Sequence, residues 1–269
     1  HSEDIICKCI DSIPSQLTVV VIENSNNNSF KNDLENNYSN VRCYLAGENL
    51  GYAKGNNLGL SKVKTKFALI LNPDAKLEKD AIKQFLNSAE KVKDFSIIGP
   101  AIQDEFNETN NFTDKDLYQV DYLKGFAMFL NLEEFRDIGY FDENFFIYLE
   151  ETDLCKRIKL QNKKIYLDRR IKITHLGGSS HNKDIDYEME LSRNWHWMWS
   201  KFYFNKKHYG FSYSLMSVSG NLFSSLFKII FFTLMFNKKK RRIYFQRFSG
   251  LLNSIVGKKS WYRPKIIIN

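Results

Sequence analysis

Short apolar runs alternate with helix-spaced segments through the first hundred residues. That alternation restricts the possible folds more than any other feature. Leu17–Ile22 reads LTVVVI and stops at Glu23-Asn24-Ser25-Asn26. Val41–Leu45, Phe67–Leu71 (FALIL) and Ser96–Ile98 are further runs of the same kind. Between them, Ala53–Val63 reads as a helix. So does Lys79–Val92, with Ile82, Phe85, Leu86 and Ala89 expected on one face. Strands without polar alternation, separated by helices, predict an α/β fold with a mostly parallel sheet covered by helices. Ligands of such sheets sit beyond the carboxyl ends of the strands. Two of those ends carry an acid, Glu23 and Asp74.

Charge divides the chain. Residues 201–269 hold 14 Lys and Arg and no Asp or Glu, out of 39 basic and 31 acidic residues in the whole chain. We therefore expect a body over 1–200 and a basic, aromatic, helical appendage over 201–269, with an anionic surface as its partner. Within the appendage, residues 211–236 contain one charge, Lys228, and Lys238–Arg242 follow. The run is long enough to span a bilayer. Its Ser-rich first half favours an interfacial or re-entrant helix, with the basic cluster on anionic headgroups. Nucleic acid is not the expected partner, because the cations interleave with long apolar runs. Cys7, Cys9, Cys43 and Cys155 lack zinc-site spacing and read as reduced thiols. No secretory leader is evident, which predicts a peripheral protein on the cytoplasmic face of the inner membrane. Residues 103–120 read as a polar loop and Tyr187–Asn205 as a helix.

Three places carry chemistry. In Asn72-Pro73-Asp74 an acid ends a buried strand on a tight turn, where it can reach a cation bridging two phosphates. Glu150, Glu151 and Asp153 open a helix after the aromatic stretch Phe145-Phe146-Ile147-Tyr148. Helix N-termini attract acids in any case. Carboxyls beside aromatic residues have raised pKa values, however, and can serve as general bases. His175 in Thr174-His175-Leu176-Gly177 is an ordinary structural histidine or a metal ligand. The glycines of Gly47–Gly59 do not form G-x-G-x-x-G, which disfavours a dinucleotide-dependent oxidoreductase.

Taken in order, these motifs resemble glycosyltransferase family 2, in its rhamnosyltransferase-like branch. The sequence runs Val21-Ile22-Glu23-Asn24-Ser25, then Asn49-Leu50-Gly51-Tyr52-Ala53 with Asn56-Asn57-Leu58-Gly59, then Leu71-Asn72-Pro73-Asp74. Gly139-x-Phe141-Asp142-Glu143, Tyr148-x-Glu150-Glu151-x-Asp153-Leu154-Cys155-x-Arg157 and His175-x-Gly177-x-Ser179 follow. The likeness covers roughly residues 1–180. It implies a GT-A fold, lacking the family's first strand ahead of His1-Ser2, and an inverting transfer from a dTDP- or UDP-sugar. The implied acceptor is a saccharide or lipid-linked saccharide of bacterial surface-polysaccharide synthesis. It implies donor contacts from Glu23, Asn24, Ser25, Asn49, Gly51, Asn56, Asn72 and Asp74. Asp74 and His175 are the implied ligands of Mg²⁺ or Mn²⁺. Glu151 is the implied catalytic base, flanked by Glu150 and Asp153, and Gly125 and Tyr148 lie on the acceptor side. Glu23 and Glu151 stand where the family usually has Asp. An impaired family member is the alternative, and a nucleic-acid-binding protein a more distant one.

Overall fold

The computed structural model describes residues 3–101, 116–175 and 185–264. Two compact units emerge, residues 1–141 with 151–181, and residues 142–150 with 182–269.

The first unit is α/β. Helix α1 (Glu3–Asp11) precedes β1 (Val19–Glu23), α2 (Asn28–Asn37) and β2 (Val41–Leu45). The β-branched runs pair in parallel, Val19 opposite Val41 and Glu23 opposite Leu45. Val21, Val41 and Cys43 pack there with Ile10 and Leu34. Helix α2 was not anticipated. Asn27 caps it by accepting from the Phe30 N–H, which offsets a sequence poor in apolar residues. After α3 (Gly51–Leu60) come β3 (Phe67–Leu71), β4 (Ala75–Leu77), α4 (Ala81–Val92) and β5 (Phe95–Pro100). On α4 the buried residues are Ala81, Phe85, Ser88 and Ala89. Leu86, expected inside, is 45% exposed, because the buried stripe passes through Ser88 instead.

The larger sheet has the order β3-β7-β5-β8-β6, adding β6 (Leu117–Val120), β7 (Ala127–Asn131) and β8 (Lys164–Asp168). Only β5 and β8 pair in parallel within it, so pairing in the unit is mixed. Residues 117–120, expected as loop, form an edge strand against β8. Its outward Tyr118 and Gln119 gave no apolar signal. β7 was also unread, and it is fully buried. A three-residue β4 pairs antiparallel with β9 (Ile173–His175). Gly55 and Gly59 bring α3 onto β1, where an added Cβ would lie 3.3 Å from the Asn24 amide and 3.4 Å from Ile22.

The second unit is built from α6 (Asp186–Tyr209), α7 (Phe211–Leu234) and α8 (Lys238–Ile255). Met198, Phe202, Val218 and Leu251 form its core. Gly250 lets α8 touch α6, since a Cβ there would fall 2.3 Å from the Trp195 carbonyl oxygen. Helix α7 is inverted relative to a soluble helix. Its buried residues are Ser214, Val218 and Ser225, while Met216, Phe223, Phe227 and Leu234 are 66–74% exposed.

Candidate active site

The chemistry-bearing residues of the first unit gather around Tyr122–Phe126, the segment that leads into β7. On one side is the strand-end turn. The Asn72 N–H donates to the Phe126 carbonyl at 2.9 Å, and the Ala75 N–H returns to the Asn72 carbonyl at 3.0 Å. The β4–β9 pairing sets Ala75 opposite His175. His175 Nε2 consequently lies 3.2 Å from Asp74 Oδ1, and its ring stacks on Phe126 at 4.7 Å. Asp74 is buried. Cys9, bonded to the Asn72 carbonyl, has its thiol pushed up to about 12, first by burial and then by the charge of Asp74.

A buried carboxylate beside an imidazole suits a divalent cation that takes its remaining ligands from phosphate oxygens and water. No cluster of three or more His, Cys, Asp or Glu occurs among the described residues. Asp74 and His175 fit two ligands of such a cation.

On the other side is the start of α5 (Glu150–Leu160). Glu151 Oε1 accepts from the Tyr122 hydroxyl at 3.1 Å. Burial holds the Glu151 carboxyl above the usual range, outweighing hydrogen bonds that favour its charged form. The Tyr122 hydroxyl is also pushed up, by burial and then by the charge of Glu151. Gly125 makes room, because an added Cβ would sit 3.2 Å from the Tyr52 hydroxyl and 3.4 Å from Glu151 Cβ. The Tyr52 hydroxyl in turn donates to the Gly125 carbonyl. Gly125 and Phe126 thus join the base side and the cation side through one peptide bond.

Asp153 has a different occupation. It is fully buried, and Arg157 Nε reaches it at 2.8 Å while the same guanidinium donates to the carbonyls of Ile138, Gly139 and Tyr140. Glu150 is buried and opens the helix. Tyr148 and Leu149, just before it, both lie in the left-handed region at φ 74° and 68°. Such strain costs about 1–3 kcal/mol per residue and concentrates at functional sites.

The residues proposed for the nucleotide are mostly engaged with one another. Glu23 accepts from the Ser25 N–H at 2.9 Å, the Ser25 hydroxyl at 2.5 Å and the Asn27 N–H at 2.6 Å. Asn24 bridges to the start of α3, donating to the Gly51 carbonyl and accepting from the Leu50 N–H, each at 3.3 Å. Asn49 accepts from the Gly51 N–H, and Asn56 donates to the Tyr52 carbonyl. These bonds shape the rim beyond β1.

Sequence reasoning assigned no role to Tyr52, Asn57, Tyr122 or Arg157. Asn57 binds the Phe141 backbone in both directions, at 2.9 and 3.0 Å, and so holds the loop ahead of α5. Tyr52, Asn57 and Arg157 stood inside motifs, and Arg157 has i,i+4 spacing from Asp153. Nothing in the sequence marked Tyr122.

Residues 1–169 match the model of glycosyl transferase family 2. The chain is 27% identical over 188 positions to the low-salt glycan biosynthesis hexosyltransferase Agl10 of Haloferax volcanii, covering 61% of this chain and 60% of the relative. It is 23% identical over 158 positions to the rhamnosyltransferase WbbL of Escherichia coli K12, covering 46% and 60%. The chain thus spans about 60% of the length of these curated relatives. Among solved structures, the mannosyltransferase PcManGT of Pyrobaculum calidifontis, in complex with GDP-Man and Mn²⁺, aligns with a TM-score of 0.58 at 12% identity. That alignment covers 96% of this chain and 85% of the neighbour. TarS of S. aureus with UDP-GlcNAc aligns at 0.50 and 13%, covering 99% and 91%. The shared fold is GT-A.

Proposed function

This chain belongs to glycosyl transferase family 2, and we propose that it moves a hexosyl or rhamnosyl group from a nucleoside-diphosphate donor to an acceptor hydroxyl, inverting the anomeric centre. Glu151 carries this reading. It is a half-buried carboxyl of raised pKa, held by Tyr122 and separated from the Asp74–His175 pair by a short backbone path. A base whose pKa is lifted toward the working pH is the better proton acceptor.

In this scheme Glu151 takes the proton from the acceptor hydroxyl as that oxygen attacks the anomeric carbon. Hydrogen bonds from Tyr122 and Thr152 hold the Glu151 carboxyl in place. Gly125 lets Tyr52 and Glu151 pack directly against its backbone, which fixes the position of Glu151. Asp74 and His175 would hold Mg²⁺ or Mn²⁺, which supplies charge neutralisation for the departing diphosphate. Arg157 occupies Asp153, so Glu151 is the acid assigned to proton transfer. One displacement inverts the centre, and no protein nucleophile is required. The sugar class is supported by the relatives Agl10 and WbbL, and a nucleotide-sugar donor by the ligands named for PcManGT and TarS.

The second unit supports a place at a membrane. Phe211–Leu234 is long and apolar enough to cross one, and little of it is buried. The apolar stripe of α7 faces outward, Phe236 at the turn is 90% exposed, and Lys238–Arg242 follow. An outward apolar stripe ending in cations suits an anionic bilayer surface. In this reading the enzyme works peripherally on the cytoplasmic face of the inner membrane, on a saccharide or lipid-linked saccharide.

The test is a panel of dTDP- and UDP-sugars incubated with the protein in Mg²⁺ or Mn²⁺, and again in EDTA. Metal-dependent transfer or donor hydrolysis with one of them supports the reading. No turnover and no thermal shift with any of them would overturn it.

A further inference from the structure

Five cations, Lys238–Arg242, open α8, and its first turn holds no acid. A helix N-terminus carries partial positive charge and favours anions, so these cations oppose the dipole and one another. Three of them have partners in the second unit. Lys240 lies over the Phe232 ring at 5.3 Å, and Lys239 over the Tyr187 ring at 5.2 Å. Arg242 lies over Tyr187 at 5.4 Å and meets Glu188 at 3.3 Å. Lys238 and Arg241 are exposed, and among the described residues neither side chain has a hydrogen bond or ion pair.

Arg241 differs from Lys238 in its place. It lines a cleft of about 460 Å³ with Ile229, Arg242, Phe245 and Gln246. Ile229 comes from α7, and the other four lie on one side of α8. The two helices are tied together nearby. Phe232 stacks on Tyr244 at 5.6 Å, and Lys228 Nζ sits over the same Tyr244 ring at 4.8 Å. The cleft thus sets two guanidinium groups beside an apolar wall. Phe245 is exposed, as are Leu226, Ile230 and Leu234, which share the apolar run of α7 with Ile229.

A guanidinium fork offers phosphate oxygens paired N–H donors that an ammonium cannot present. An apolar wall beside the fork adds nothing for inorganic phosphate or a nucleic-acid backbone, but it covers the first methylenes of a lipid. We propose that this cleft binds the phosphate of one membrane lipid, with Arg241 as its principal ligand and Ile229 and Phe245 against the start of its chains. The proposal rests on the membrane reading above and gives that reading a defined lipid site. The bound phosphate also supplies the anion that the N-terminus of α8 lacks.

The test uses the full chain with phosphatidylcholine vesicles carrying phosphatidylglycerol. Wild type is compared with Lys238→Gln, Arg241→Lys and Arg241→Gln. Lys238→Gln removes a charge outside the cleft and should weaken binding about fivefold. Arg241→Lys keeps the charge but loses the fork, and should weaken binding about tenfold. Arg241→Gln loses both, for a loss of about fiftyfold. At about 0.5 M salt exposed charges are screened. Lys238→Gln should then match wild type, while both Arg241 variants stay weaker. Arg241→Lys equal to wild type, or Arg241→Gln equal to Lys238→Gln, would overturn the proposal and leave the membrane reading intact. Dihexanoyl phosphatidylglycerol, kept below its micelle concentration, tests the cleft without a bilayer. Wild type should bind it more tightly than inorganic phosphate, and Arg241→Lys about tenfold more weakly than wild type does. No binding of this lipid by wild type, or equal affinity for inorganic phosphate, would overturn the proposal. So would tighter binding of duplex DNA than of the vesicles, which would assign the arginines to nucleic acid. Binding of the short-chain lipid with none to vesicles would overturn the membrane reading and keep the cleft.

Discussion

His196 gives the second unit a stability that depends on pH. The residue is fully buried on α6, and its ring nitrogens lie 2.9 Å from Ser260 Oγ and 2.8 Å from the Tyr262 carbonyl. It stacks on Phe146 at 4.6 Å, and Arg263 lies 3.6 Å over the same Phe146 ring. Burial drives its pKa from 6.5 down to about 3, against the Tyr262 bond that favours protonation and with help from Arg263. The unfolded chain binds a proton near pH 6.5, whereas the folded one does not until about pH 3. Stability is therefore lost as pH falls below 6.5, at about 1.4 kcal/mol per unit. Between pH 7 and pH 5 the loss from this one group is about 2 kcal/mol. All four tryptophans, Trp195, Trp197, Trp199 and Trp261, belong to this unit, so their fluorescence reports its urea unfolding. Wild type and His196→Asn are unfolded at both pH values. His196→Asn is weaker throughout, but the wild type should lose about 2 kcal/mol more on acidification. Equal pH dependence in the two proteins would refute the reasoning.

Gly125→Ala should lower kcat by about 10–100-fold with the fold retained, because the new methyl displaces Tyr52 or Glu151 by a fraction of an ångström; circular dichroism and initial rates check this. Gly250→Ala should destabilise the second unit by about 1–3 kcal/mol, since Cβ meets the backbone of α6 where nothing can rotate away; urea unfolding followed by tryptophan fluorescence measures it. Replacing Lys238–Arg242 with glutamine should weaken binding to phosphatidylglycerol liposomes by about 1 kcal/mol per cation removed. Flotation at rising salt checks this last point, and unchanged binding would contradict it.

Strands β1 and β3 were legible as β-branched and leucine runs, and β2 through Val41 and Cys43, which are buried between the exposed Arg42 and Tyr44; the observed limits of all three lie within two residues of those expected. Strand β6 was hidden because an edge strand can expose Tyr118 and Gln119. Strand β7 was hidden because AMFLN is brief and follows a polar segment. Of the site, Asp74 and His175 were legible as residues, but the β4–β9 pairing that sets them together runs across 100 positions of sequence. The contact of Tyr122 with Glu151 is likewise long-range and left no local mark. The engagement of Glu23 by Ser25 and Asn27 is a turn-scale effect that the motif alone did not reveal. Ser179 lies outside the described residues.

The role of Glu151 is tested most directly by its amide variant. With a competent donor and acceptor and Mg²⁺ or Mn²⁺, Glu151→Gln should lose about 10²–10⁴ in kcat while binding the nucleotide as wild type does. Wild-type kcat should fall on the acid side below a pKa raised above that of an ordinary glutamate, a limb that the variant lacks. Full transfer activity in Glu151→Gln, with the acid limb intact, would contradict the assignment of Glu151 as the base.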